Sequence, residues 1–423
     1  MKLLKSCILL SLSGLLLMGN LTSCKKEEKT VIPDQYGWYA SWSEAAMATV
    51  GEEAPVQGLK NNTVRQQIRP SIGGEKIRLT FSNEYGETPL VLESVHIAKL
   101  LYAGSPNIDV ATDTVVTFSG SESVTIEPGS RITSDEVMFS YNALDVLAVT
   151  SYIGQYTGVT LTVHSDGGCT SWVTTGNEVS AENFSTMSFN SSYYYLCRMD
   201  TYAKAGTRAL VCIGDSITDG ACATYNGFDG WVDVLADKMQ SDPATSHISV
   251  TNAGIGGNLL LGGTWGEPAK DRFQRDILDV PGIHYAVVMI GINDVGNAQE
   301  DISQDIISGY KELIEKAHAK GIKIYGCTLT PVKGNFYYSE LHEKIRLSVN
   351  EFILSADSGF DGVIDMSMAI CREDDFAQMK DEYSCGDYLH PGALGYEAMG
   401  NEAYYTLKEL WEAEAKAALE ADK

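Results

Sequence analysis

The sequence predicts an α/β chain in two folded parts: a parallel sheet covered by helices in three layers, preceded by an all-β region of jelly-roll-like sandwich type. Three observations lead there. The 423 residues suffice for two or three domains at roughly 100–200 residues each. From about 37 to 203, short alternating runs are separated by turn residues, and no long helical pattern appears. After Ala205, short apolar runs alternate with segments of helical spacing.

The chain begins with a different kind of segment. Lys2 and Lys5 form a short positive region, and Ile8 to Met18 an apolar stretch too short to span a bilayer. Residues 1–23 therefore read as an export signal, and 24–36 as a polar tether. Leu21-Thr22-Ser23-Cys24 resembles the lipobox of bacterial lipoproteins. That resemblance implies cleavage before Cys24, lipidation of its thiol, and an anchor in the outer membrane. Lys26-Glu27-Glu28 is similar to the short tag that carries some lipoproteins to the cell surface.

Composition narrows the partners. The formal net charge is −25, and such a surface repels phosphate backbones, so nucleic acid is excluded as a partner class. Nine cysteines are present; setting aside Cys7 and Cys24 leaves an odd number in the folded part, so at least one thiol is free. Cys212 and Cys327 fall inside apolar runs and read as buried thiols. Cys169 with Cys197, and Cys371 with Cys385, are the candidate disulfide pairs in an exported protein. No Cys/His spacing resembles a zinc site.

In the all-β region (37–203), Lys76 to Phe81 alternates with period two before Ser82-Asn83. Residues 114–118, 124–126, 137–141, 147–153 and 159–164 repeat that pattern between breaks such as Glu127-Pro128-Gly129. In the second region (204–418), residues 210–213, 248–252, 285–290, 322–327 and 363–366 read as buried strands. Between them, Trp231, Leu235 and Met239 mark one helix. Ile302, Ile306, Tyr310, Leu313 and Ala317 mark another that Gly321 ends. A final Ala/Glu/Lys-rich helix presents Tyr404, Leu407 and Trp411 on one face.

Chemistry-bearing residues follow these strands. Gly214-Asp215-Ser216-Ile217-Thr218-Asp219-Gly220 follows the first, at the sheet edge where open α/β folds bind ligands. Asn252-Ala253-Gly254-Ile255-Gly256-Gly257-Asn258 follows the second, and Gly291-Ile292-Asn293-Asp294 the third. Asp387-Tyr388-Leu389-His390-Pro391 stands near the end. Each block has a plainer reading alone: Ser216 as a helix cap, the glycines as a degenerate dinucleotide loop, Asn293-Asp294 as a turn, His390 as a helix-start residue. The glycine spacing departs from the dinucleotide fingerprint, and Ser216 lacks the Gly-x-Ser-x-Gly elbow of the α/β-hydrolases.

Four blocks in this order resemble those of the SGNH (GDSL-type) hydrolases over roughly 205–413. The resemblance implies a flavodoxin-like fold, with Ser216 as nucleophile, His390 as general base and Asp387 orienting the imidazole. Gly257 through its N–H and Asn293 through its side-chain amide complete an oxyanion hole with the N–H of Ser216. The chemistry is coherent: a serine hydroxyl needs a base, and the developing oxyanion needs fixed donors. No metal or cofactor is required. Asp215 and Asp219 are expected to bond nearby backbone, and Cys222 and the other six histidines to stand outside catalysis.

Arg65-Gln66, Arg78 to Asn83, Arg272-Phe273-Gln274-Arg275-Asp276 and Thr328-Leu329-Thr330-Pro331 are similar to one arylesterase/acylhydrolase-like branch, associated with xylan and plant-glycan use. Gly230 departs from that branch, where arginine is expected before Trp231. Trp265, Phe336, Tyr337 and Tyr338 fall in loops at the catalytic edge, as sugar or acyl contacts or as loop packing. The resemblance thus implies a serine esterase acting on short acyl groups, acetyl foremost, on an acylated glycan. The alternatives are a lysophospholipase or thioesterase, or a non-catalytic glycan-binding lipoprotein. Acyl and sugar specificity, the role of the β region and oligomeric state are not encoded legibly.

Overall fold

The computed structural model describes residues 35–49, 57–263 and 265–421. Residues 1–23, Cys24 and the tether to residue 34 lie outside the described residues. Tyr36–Lys423 forms one compact unit.

In the second half, Arg208–Gly214 (β1), Ile248–Gly254 (β2), Ile283–Met289 (β3), Lys323–Cys327 (β4) and Gly362–Ile364 (β5) form a sheet. It is wholly parallel, in the order β2-β1-β3-β4-β5. That is the flavodoxin-like order, which reverses direction between β1 and β3. The helices are Ser216–Asp219 (α1), Trp231–Ser241 (α2), Ala269–Phe273 (α3), Ile292–Asn297 (α4), Ser303–Ala319 (α5), Glu340–Leu354 (α6), Met366–Ile370 (α7) and Ala393–Ala421 (α8). They fall into two packed sets, α2 with α7 and α8, and α5 with α3 and α6. Right-handed crossovers leaving β1 in opposite directions place such sets on opposite sheet faces.

Burial explains the local pattern. Leu210, Val211, Cys212 and Ile213 of β1 are completely buried, as the central strand of a doubly covered sheet demands. Trp231, Leu235 and Met239 line the buried face of α2, and Ile306, Tyr310, Leu313 and Ala317 that of α5. Gly321 takes φ +70° just past α5, the left-handed conformation that closes a helix. Tyr404 and Leu407 of α8 are buried, and Trp411 donates its Nε1–H to the Tyr325 hydroxyl at 2.7 Å. No helix among the described residues is long and apolar enough to cross a membrane.

The first half is strand-rich and antiparallel. One sheet runs Tyr36–Ser43, Leu196–Lys204, Gly74–Ser82, Val137–Tyr141, with Arg131–Thr133 also on Gly74–Ser82. A second runs Ser188–Asn190, Ser171–Thr175, Asn62–Ile68, Leu147–Ile153, Ser94–Lys99, Thr114–Val116. Ile77, Leu79 and Phe81 of the first share a buried cluster with Val64, Ile97 and Val149 of the second. Arg65 and Gln66 are fully buried: Arg65 Nε donates to Thr150 Oγ1 at 2.9 Å while its guanidinium lies over the Phe184 ring.

Three expectations shift. The strand predicted over 159–164 forms only at Thr162–His164. The strand predicted to Met366 stops at Ile364, because the Asp365 carboxylate accepts the Met368 N–H and starts α7. The disulfide candidates are not bonded: Cys169, Cys197, Cys371 and Cys385 are all free. Cys197 instead points its thiol at the Thr80 carbonyl, and Cys371 at that of Met368.

Candidate active site

The site sits at the carboxyl ends of β1 and β3, where the strand order reverses. β1 ends at Gly214, and a Cβ there would stand 2.1 Å from Thr218 Oγ1 and 2.4 Å from the Met289 carbonyl. Only glycine permits so tight a strand-to-helix turn. Asp215 then caps α1 by accepting the Ile217 N–H at 3.1 Å, which makes Ser216 the first helical residue. Its N–H belongs to the amides that a helix start leaves free, so an anion at Ser216 Oγ faces an electropositive end. Burial pushes the Asp215 carboxyl up to about 7, with the charges of Asp294 and Asp219 adding to the rise.

The last block delivers the base. His390 Nε2 lies 2.8 Å from Ser216 Oγ, across 174 residues of sequence. Its Nδ1 lies 2.7 Å from Asp387 Oδ2, while Asp387 Oδ1 accepts the backbone N–H groups of Leu389 and His390, each at 2.8 Å. Partial burial opposes the Asp387 charge. The bonds from His390 and Leu389 outweigh it and hold the carboxyl below its ordinary value. Ser216 is 9% exposed and the His390 side chain 20%, so the pair opens to solvent.

Asn293 enters from α4 and is almost fully buried. Its Nδ2 donates to the Asn258 carbonyl at 2.9 Å, and its Oδ1 accepts the Tyr337 phenol at 3.0 Å. These partners fix the amide orientation and leave the second Nδ2 proton for a ligand. Gly257 takes φ +70°, and the Trp265 ring lies 3.3 Å from where its Cβ would be. The neighbouring glycine of that block, Gly254, has its Cβ position 2.3 Å from the Asp219 nitrogen, so β2 closes directly onto α1.

Beneath these groups lies Arg272, 1% exposed. It donates to Asn258 Oδ1 from Nε at 3.1 Å and Nη2 at 3.0 Å, to the Ala253 carbonyl at 2.7 Å and to the Gly214 carbonyl at 3.0 Å. Asp276, at 3.1 Å, balances its charge. One guanidinium therefore ties the ends of β1 and β2 to the loop carrying Gly257. Asp294 supports the same loop by accepting the Leu260 and Leu261 N–H groups at 2.8 and 3.0 Å.

The structure thus brings Ser216, Asp387, His390, Gly257 and Asn293 to one edge. Cys24 lies outside the described residues. Of the aromatic residues, Trp265 covers Gly257, Phe336 is 86% exposed, and Tyr337 is committed to Asn293. Gly230, where the resemblance implies arginine, caps α2, and the half-buried Asp233 carboxyl beside it is pushed up to about 6 by its desolvation. Sequence reasoning passed over Asn258, the task of Tyr337, and the group Glu44, His164 and Asp219. The Arg272 motif was visible without its purpose. Among the described residues that group alone gathers three ligand-type side chains, one atom each within 4.8 Å of one another, as a metal ion would need.

A hydroxyl paired with an imidazole, itself paired with a carboxylate, at the switch point of a parallel sheet defines a hydrolase of the serine type. The sequence profile of the GDSL-like Lipase/Acylhydrolase family matches residues 212–398, the stretch that carries Ser216, Gly257, Asn293, Asp387 and His390, and the protein is a carboxylic ester hydrolase. No curated protein matches the chain. Solved structures resemble about half of it. A GDSL-like lipase from Bacteroides thetaiotaomicron is 18% identical, over 49% of this chain and 90% of that one, with a TM-score of 0.38. A catalytic mutant of an acetylxylan esterase from Geobacillus stearothermophilus is 21% identical, over 48% and 94%, with a TM-score of 0.37.

Proposed function

We propose that the protein is a serine esterase removing short acyl groups, acetyl above all, from a glycan. The observation that carries this reading is the continuous path Ser216 Oγ–His390–Asp387, with bonds of 2.8 and 2.7 Å, at the sheet edge whose loops also carry Gly257 and Asn293. His390 takes the serine proton as Oγ attacks the ester carbonyl, and Asp387 holds the tautomer that makes Nε2 the acceptor. The N–H groups of Ser216 and Gly257 and the spare Asn293 proton receive the oxyanion. His390 then returns the proton to the sugar hydroxyl as it leaves, and water repeats the sequence on the acyl-enzyme.

The Trp265 ring beside Gly257 would narrow the acyl side, which favours acetyl over long chains. The open setting of His390 leaves room for a glycan as leaving group, with Phe336 available at the rim. The negative surface favours a neutral glycan over a polyanion. The strand-rich leader, read as a jelly-roll-like sandwich, and lipidation at Cys24 would hold such an enzyme at the outer membrane, exposed to polymer. Acetate release from acetylated polysaccharide, compared with an acyl-length series of nitrophenyl esters, tests the reading. Wild type should release acetate and Ser216→Ala should not. Rates that climb steeply with acyl length would instead mark a lipase-like acylhydrolase, since each buried methylene is worth about 0.8 kcal/mol in a matching pocket.

A further inference from the structure

The strand-rich region reaches the nucleophile segment through one buried histidine. His164 ends the strand Thr162–His164 and is 2% exposed. Its Nδ1 lies 2.9 Å from the Ala45 carbonyl, which can only accept, so Nδ1 carries a proton. Its Nε2 lies 3.0 Å from Asp219 Oδ1 and 3.2 Å from Glu44 Oε2, two carboxylate oxygens, and so faces acceptors as well. Acceptors at both ends of the ring select the imidazolium. Asp219 passes the contact on: its Oδ2 accepts the Gly256 N–H at 2.9 Å, one residue before Gly257. The Asp219 side chain thus joins the end of α1 to the loop of the oxyanion hole, and His164 holds that side chain from behind.

We propose that His164 is a positioning residue for ester hydrolysis: by fixing Asp219 it sets the Gly256 amide, and through it the Gly257 N–H, at the oxyanion. The inference rests on the esterase reading above. It gives the strand-rich region a part in the chemistry without touching substrate. The groups facing the imidazole are Glu44 and Asp219, with the Tyr193 ring 6.3 Å away; Asp233 acts on Glu44 from α2, and Arg69 on Asp233. Burial disfavours the cation, but the charge of Asp219 and then of Glu44, with the bond to Asp219, outweighs it and lifts His164 to about 10. Burial at the same time pushes the Glu44 carboxyl up to about 8, so Asp219 is the carboxylate that holds the charge through neutral pH. Glu44 Oε2 is left without a well-aligned hydrogen bond, so Asp219 is the principal partner.

The test compares wild type, His164→Ala, His164→Gln, Asp219→Asn and Ser216→Ala on nitrophenyl acetate, with melting temperature and metal content measured alongside. His164→Ala should lower kcat about tenfold to a hundredfold, part of what removing an oxyanion donor costs. KM should stay within about threefold, since the lost interaction is made in the transition state. His164→Gln, which keeps a donor toward Asp219, should recover most of the loss. A purely structural role would lower the melting temperature and leave kcat unchanged well below it, and that result overturns the proposal. If His164→Ala does not fold, Asp219→Asn serves: it keeps the size but not the charge, and unchanged kcat would be equally fatal. Stoichiometric divalent metal in wild type, lost in His164→Ala, also overturns it, because a cation would then occupy the place of the Nε2 proton. Activity that survives in Ser216→Ala overturns the esterase reading itself, and the inference with it. Activity abolished in Ser216→Ala and intact in His164→Ala removes the inference alone.

Discussion

Replacing Arg272 with alanine isolates what one buried cation does for this site. The guanidinium supplies bonds to four groups, and they differ in what they retain once it is gone. The Gly214 carbonyl keeps the Ile255 N–H at 3.2 Å, and Asp276 keeps Arg275 through bonds of 2.7 and 3.0 Å. Asn258 Oδ1 loses both of its bonds from Arg272, and the Ala253 carbonyl loses its 2.7 Å contact. A buried acceptor left unsatisfied costs about 1–3 kcal/mol, and the vacated volume adds to that. The sum falls at about 3–5 kcal/mol, the range for breaking a buried charge network from one side. Against a total stability of roughly 5–15 kcal/mol this is a large share. Urea unfolding followed by tryptophan fluorescence measures it. Arg272→Lys should recover less than half, because an ammonium cannot span β1, β2 and Asn258 together. A loss below about 1 kcal/mol for the alanine variant would refute the assignment of Arg272 as the tie between the two strand ends.

Other outcomes follow from the same geometry. Asp387→Asn keeps the shape of the turn but removes the acceptor that selects the His390 tautomer, so kcat on a nitrophenyl ester should fall about 10³–10⁴-fold with an unchanged circular dichroism spectrum. Tyr337→Phe frees Asn293 Oδ1 while Asn258 still holds Nδ2, so kcat should fall only about threefold to tenfold, the worth of roughly 1 kcal/mol; an unchanged kcat would show that Asn258 orients the amide alone. The folded state raises His164 from 6.5 to about 10, so its stabilisation is complete below pH 6.5 and is lost as pH rises through about 10. Urea stability of wild type should therefore decline between neutral and alkaline pH, and His164→Gln should flatten that slope.

Much of the second half was legible because its signals are local. Apolar runs such as Leu210 to Ile213 mark the strands, and the blocks that follow three of them, with the Asp387 to Pro391 block near the end, point to Ser216, Gly257, Asn293 and His390 through the resemblance of their order to the SGNH hydrolases. What sequence reasoning missed is non-local. Nothing near His164 marks it as the partner of an aspartate 55 positions further on. Tyr337 reads from sequence only as a ligand contact or as loop packing, because its phenol's target, Asn293, lies on another element. The cysteine pairs failed for a related reason: spacing along the chain says nothing of where a thiol points. Within the strand-rich half, runs that alternate cleanly, such as Val137 to Tyr141, emerged with the boundaries read from the pattern. Val159, which the predicted strand included, is exposed and outside it, because polar and glycine neighbours gave the run no second buried face there.

The seam along β2 has a consequence for behaviour in crowded solution. β2 is the terminal strand of the parallel sheet, and its outer side would present unpaired N–H and carbonyl groups to any neighbouring molecule. The leader occupies that side: Ser43 Oγ donates to the Asn252 carbonyl at 2.7 Å, Ser249 Oγ to the Ala40 carbonyl at 2.6 Å, and the Val250 N–H to Ser71 Oγ at 2.9 Å. At the opposite end β5 is only three residues long, too short to template a partner. Both margins are thus closed to strand exchange between copies, one by cover and one by brevity. A hydrolase half expressed without its leader would regain an open margin and should self-associate before it reveals anything about catalysis.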